Sequence, residues 1–297
     1  MKNFMIGQPG NFDYKKFNRD FKEDFYGIEA CMFATEEDIS NLIEESKSSS
    51  FNIGIHFPLR SWVSKLRDPQ FLSKDEEVKN NSYKIIEEEL EILKQVKPKY
   101  VLFHYPKPVI LDTTVDWTNW RFADKSEYIF DTEYSFNELQ EKSEYLFKWL
   151  TEKSEEYNFT PVLELDGLNK YIYETNLLEE LLGKYPKIKL CIDTGRLHLQ
   201  DRIDPNFNAL SIIKRFSKYA EVVHLWNIRV KDNLENSHYP ALKNLKAEDG
   251  WAPIEEYIRI IKEENKDVKI MFEHRSDLIT DEELEECYIW INELMEG

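Results

Sequence analysis

Six short apolar stretches of this sequence each deliver a residue able to hold a metal ion. NIGIHFP carries His56, KYVLFHYP carries His104 and PVLELDGL carries Glu164. KIKLCIDTGRLHL carries Asp193, EVVHLWN carries His224 and VKIMFEHRSD carries Glu273. Imidazole nitrogen mixed with carboxylate oxygen suits Mn2+, Mg2+, Co2+, Fe2+ or Zn2+. An ion held in this way can polarise a carbonyl or turn bound water into hydroxide. A blander reading competes, since a single His or Glu beside a strand is usually an ordinary hydrogen-bonded residue. Position argues against six such coincidences. All six histidines fall at strand ends or in the loops that follow, and none on a predicted helix.

The elements needed to position these residues can be read in order. Strands are expected at 4–6, 27–32 (carrying Glu29), 51–57, 100–103, 160–165, 188–193, 221–226 and 268–272. The sixth is expected to stop at a Thr-Gly turn, with Arg196 and His198 following at once. Helical spacing of apolar residues falls between the strands, at 12–25, around Ile39 to Ile43, and from Tyr83 to Val96. It recurs from the Ser135 cap to Tyr157, at 175–182, at 209–219, around Ile254 to Ile261, and after the Thr280 cap. Residues 58–75, 105–134 and 227–250 read as loops, the last two long enough to be lids or binding loops. Eight strand–helix alternations without a linker predict one α/β domain over 1–297, a (β/α)8 TIM barrel with its chemistry at the C-terminal strand ends. Glu164, Asp193, His224 and Glu273 would come from four successive strands to one ion. His56 and His104 would lie on the Glu164 side, where a bridging Glu164 could hold a second.

Composition bounds the rest. The chain has 297 residues and a formal net charge of −18, which argues against a nucleic-acid partner because phosphate binding normally uses a basic face. Three widely spaced cysteines, no signal-peptide pattern and no membrane-length apolar run point to a cytoplasmic protein without membrane partners. Arg196, Arg229 and Arg275 each follow a strand-end ligand. They could clamp a carboxylate or phosphate of a small substrate, or simply balance the acidic cluster. Lys107 and His274 are weaker candidates for that clamp. Trp62, Trp117, Trp120, Trp226 and Trp251 fall in or near the top loops, to stack on a ring or to cover the barrel mouth.

These motifs resemble the xylose-isomerase-like barrels, the superfamily of sugar-phosphate isomerases and epimerases and of endonuclease IV (AP endonuclease family 2). Glu164 in VLELDG resembles that family's bridging glutamate, Asp193 in LCIDTG its sixth-strand aspartate, His224 in VVHLWN its seventh-strand histidine and Glu273 in IMFEH its last glutamate. His56 and His104 resemble the extra histidines of the endonuclease-like branch. The family's Asp-x-x-His is altered, with Arg196 in the last position and His198 two residues on. Its Asp-x-His pair is also missing, since Asn236 and Ser237 precede His238, which argues against a three-metal centre.

The resemblance implies a divalent-metal-dependent isomerase or epimerase of a small sugar or polyol. Glu164 and Glu273 would move the proton, and Asp193 and His224 would hold the ion. Substrate contacts would come from Arg196, Arg229, Arg275, His198, His238 and Trp226. The alternatives are an endonuclease-type phosphodiester hydrolase acting on abasic DNA, a lyase using the same residues, and a barrel that binds a metal or ligand without turnover. A homo-oligomer is compatible with each.

Overall fold

Tyr100–Tyr105 and Thr160–Leu165 show how the chain builds its strands. Every residue of the first is buried, and so is every residue of the second beyond Thr160. Such near-continuous apolar runs belong to parallel strands covered on both faces. The structure, a computed structural model, describes residues 1–297. Its strands are β1 (Phe4–Pro9), β2 (Gly27–Cys31), β3 (Asn52–His56), β4 (Tyr100–Tyr105), β5 (Val109–Leu111) and β6 (Tyr128–Phe130). Then come β7 (Thr160–Leu165), β8 (Lys189–Asp193), β9 (Ala220–Leu225), β10 (Asn227–Val230), β11 (Leu234–Tyr239) and β12 (Lys269–Phe272). Eight of them close into a barrel in the order β1-β12-β9-β8-β7-β4-β3-β2, with helices in the connections, so the fold is the expected (β/α)8 barrel.

By contacts the chain forms two compact units. One comprises Met1–Gly7, Asp13–Glu29 and Leu190–Gly297. Its strands pair in parallel, with Asp193 opposite His224 and Met271 also opposite His224, so register alone puts those two ligand types side by side. Phe4, Phe25, Phe272 and Tyr288 pack edge-to-face or tilted in its interior, at centroid distances of 4.7–6.5 Å. The other comprises Gln8–Phe12 and Ala30–Lys189. Here β4 and β7 run in parallel with His104 opposite Glu164. Its two long helices, Glu76–Val96 and Phe136–Tyr157, are capped by Asp75 and Ser135 and end on left-handed Lys97 and Asn158.

Four expectations need correction. The first helix is only Tyr14–Asp20, because Phe21 takes an extended backbone. The guanidinium of Arg19 there donates to the carbonyls of Ser276 and Ile279. No turn follows β8: the helix Thr194–Ile203 starts at once, with Asp193 as its N-cap. His198 therefore lies on a helix and not in a loop. The connection 105–134 contains the parallel pair β5–β6, and 227–250 contains the antiparallel hairpin β10–β11. No helix is long and apolar enough to cross a membrane.

Candidate functional site

In the first unit the Asp193 carboxylate sits at the start of a helix. Its Oδ1 accepts the backbone N–H of Arg196 at 2.8 Å, and its Oδ2 accepts the Trp226 indole N–H at 3.0 Å. The N-terminus of a helix favours a carboxylate through its free N–H groups and its dipole. Thr194 ties the same turn to the end of β9, its hydroxyl donating to the Trp226 carbonyl at 2.7 Å. Gly195 is required by packing: a Cβ there would lie 2.4 Å from the Trp226 ring. Gly195→Ala should therefore cost about 1–3 kcal/mol in a denaturant titration, by overpacking. Trp226→Leu in the same chain should return part of that loss, since it removes the ring that the new methyl meets.

His224 lies on β9 and is fully buried. Its Nδ1 is 3.4 Å from Glu273 Oε2, and its Nε2 is 3.1 Å from each carboxylate oxygen of Glu29. Glu273 follows β12, its backbone N–H donating to the Leu225 carbonyl, and its side chain keeps 26% of its exposure. One ligand atom from each of Asp193, His224 and Glu273 lies within 4.8 Å of the other two. Two carboxylates and an imidazole at that spacing fit a divalent ion of the Mn2+, Co2+ or Zn2+ type.

In the second unit, His104 Nε2 lies 3.0 Å from His56 Nε2 and 3.3 Å from Glu164 Oε2, and this trio also has metal-ligand spacing. The far side of His104 faces carboxylates, with Nδ1 3.1 Å from Asp68 and 3.4 Å from Asp166. Lys107 is buried between these two acids, at 2.9 and 2.8 Å. Burial acts to lower the His104 pKa, but Asp68 and Glu164 outweigh it and push the ring up to about 9. Asp68 is itself held well below the ordinary carboxylate range: His104, Lys107 and Arg67 outweigh its burial. Arg67 lies against the His104 ring, 3.0 and 3.2 Å from its two nitrogens.

Within the first unit Asp193, His224 and Glu273 thus reach metal-ligand spacing, and within the second His56, His104 and Glu164 do. The expected substrate contacts divide. Arg196 stays beside the first cluster, its Nε 3.6 Å from Asp193. His238 stacks flat on Trp226 at 4.1 Å, with a positive φ of 50°. Trp226 is buried and committed to Asp193. Arg229 instead donates to the Asp249 carbonyl, pairs with Glu235 and lies over Trp251. Arg275 forms an exposed pair with Asp277. His198 is buried beside the Gly250 carbonyl and Tyr257, its pKa lowered by that burial. His274 is pushed down to about 3 by burial, so it carries no charge for a clamp, and Lys107 is used inside its own cluster.

Sequence reasoning missed Glu29, Asp68 and Asp166 as site residues. A signal existed for two of them. Glu29 is the one charged residue of an otherwise apolar strand, and Asp166 follows Glu164 at the two-residue period that puts side chains on one face.

No family model and no curated protein matches the sequence. Solved structures do match. A D-tagatose 3-epimerase-like protein aligns with a TM-score of 0.61 and 16% identity, over 97% of this chain and 98% of its own. The IolI protein with a bound zinc atom aligns with a TM-score of 0.59 and 13% identity, over 98% and 97%. An AP endonuclease, family 2, from Brucella melitensis aligns with a TM-score of 0.57 and 12% identity, over 96% and 97%. The chain has the fold of the xylose-isomerase-like TIM barrels.

Proposed function

We propose that this protein is a divalent-metal-dependent isomerase or epimerase of a small sugar or sugar-derived polyol. The observation that carries the reading is the Asp193–His224–Glu273 cluster, whose oxygen and nitrogen donors converge to metal-ligand spacing. A bound ion would polarise the substrate carbonyl and lower the cost of enediolate charge. Asp193 and His224 would hold it, and Trp226 and the helix start keep Asp193 in place. Glu273 is the partly exposed member of the cluster and moves the proton at the substrate carbon. Arg196, a quarter exposed, orients substrate hydroxyls or a terminal anion. The fold shared with a D-tagatose 3-epimerase-like protein agrees with this reading.

One observation favours a second reading. In the second unit His56, His104 and Glu164 form a ligand trio that would hold an ion able to turn bound water into hydroxide, as metal-assisted phosphodiester hydrolysis requires. Elemental analysis of protein purified without chelator or metal-affinity resin separates the two. A manganese- or cobalt-type ion with turnover on a ketose and aldose panel supports the isomerase. Two or more zinc ions with nicking of abasic DNA replace it with the hydrolase. Absence of any ion after incubation with Mn2+, Co2+ and Zn2+ removes both.

A further inference from the structure

Glu29 is a carboxylate in a place that should not hold one without cause. It sits inside β2, in the run GIEAC, and is 3% exposed. Burying a charged group is unfavourable unless it is paired and hydrogen-bonded. Both of its oxygens are 3.1 Å from Nε2 of His224. Against an ionised carboxylate, which only accepts, the imidazole nitrogen at that distance from both oxygens is the donor.

We propose that Glu29 is a positioning residue for His224: it accepts the Nε2 proton and thereby commits the lone pair of Nδ1 to an ion held with Asp193 and Glu273. A neutral imidazole has one protonated and one bare nitrogen, so fixing the first fixes the second. Nδ1 is the nitrogen that faces Glu273, at 3.4 Å. Metal-ligating histidines commonly hand their other N–H to a carboxylate, which sets the tautomer, orients the ring and raises its basicity. The backbone supports the same division of labour. His224 is paired through its strand with Asp193 on one side and Met271 on the other, so the ring swings about its own side-chain bonds only. The Glu29 contact at Nε2 opposes that swing.

The inference rests on reading Asp193, His224 and Glu273 as an ion site, and the test separates the two. The first readout is the 15N shift of His224 Nε2, assigned by its loss in His224→Gln, on metal-free and Zn2+-loaded protein. Nε2 should be protonated in both. A bare Nε2 in either state overturns the proposal. The second readout is Zn2+ affinity by competition with a chelator, for the wild type, Glu29→Ala and Glu29→Gln. Glu29→Ala should bind roughly 10–100-fold more weakly. Glu29→Gln, whose amide oxygen still accepts the Nε2 proton, should recover most of that loss. Equal affinity in wild type and a folded Glu29→Ala overturns the proposal, as does a Gln variant no better than the Ala variant. If Glu29→Ala does not fold, the Gln variant and the wild-type Nε2 shift still decide. A wild type that takes up no Zn2+ removes the ion-site reading, and a protonated Nε2 would then support only the Glu29–His224 contact.

Discussion

Glu273→Gln is expected to lower turnover in the proposed isomerase or epimerase reaction by about 10²–10⁴-fold, with the fold retained. The substitution keeps the shape and one oxygen of the side chain and removes its capacity to take up a proton. Fold retention follows from position: Glu273 is the partly exposed member of its cluster, and its place after β12 is fixed by a backbone hydrogen bond to Leu225. Its side chain faces His224 Nδ1 at 3.4 Å, so the variant also tests whether the residue acts mainly as a ligand. Steady-state kinetics, bound-metal analysis and circular dichroism on the same preparation distinguish the roles. Lost turnover with the ion retained assigns proton transfer to Glu273. Lost turnover with the ion lost makes it a ligand first. A normal rate removes it from the chemistry.

The parts of this molecule that were legible in its sequence are those where one residue carries the information. Buried parallel strands read as short apolar runs, and the ligand types at their ends stand out because few side chains there are polar. His104 and Glu164 were recognisable for that reason, and their opposed register makes them neighbours. Less legible was anything decided by packing between distant segments. Thr194-Gly195 reads as a turn because both residues are poor in a helix interior. It starts a helix because Asp193 caps it and because only glycine leaves room for the Trp226 ring. Arg275 follows its strand-end ligand as Arg196 does, yet it pairs with Asp277 at the surface while Arg196 stays beside Asp193. Spacing along the chain places a side chain on a loop. It does not say which neighbour will claim it.

Lys107 illustrates that last point, and replacing it should have the largest effect on stability. Its ammonium group is buried between Asp68 and Asp166, 2.9 and 2.8 Å away, and both acids also face His104 Nδ1. Burial alone would lower the lysine's pKa, and the two carboxylates more than reverse it, so the group is held charged. Lys107→Met keeps the stem volume and removes the charge, leaving two buried carboxylates with one cation fewer. Removing one partner of a buried ion pair costs about 3–5 kcal/mol, because the remaining charge is stranded without water. The expected result in a urea or guanidinium titration is a loss of that size. Adding Asp68→Asn to Lys107→Met should return a substantial part of it, since the second change removes the stranded charge. A cavity would not behave this way: if the loss came from packing, the two changes would simply add. A double variant no more stable than Lys107→Met would show that the lysine fills space rather than balances charge. Recovery would show that the carboxylates behind His104 depend on an internal cation, the arrangement by which this unit keeps three buried acids beside its two histidines.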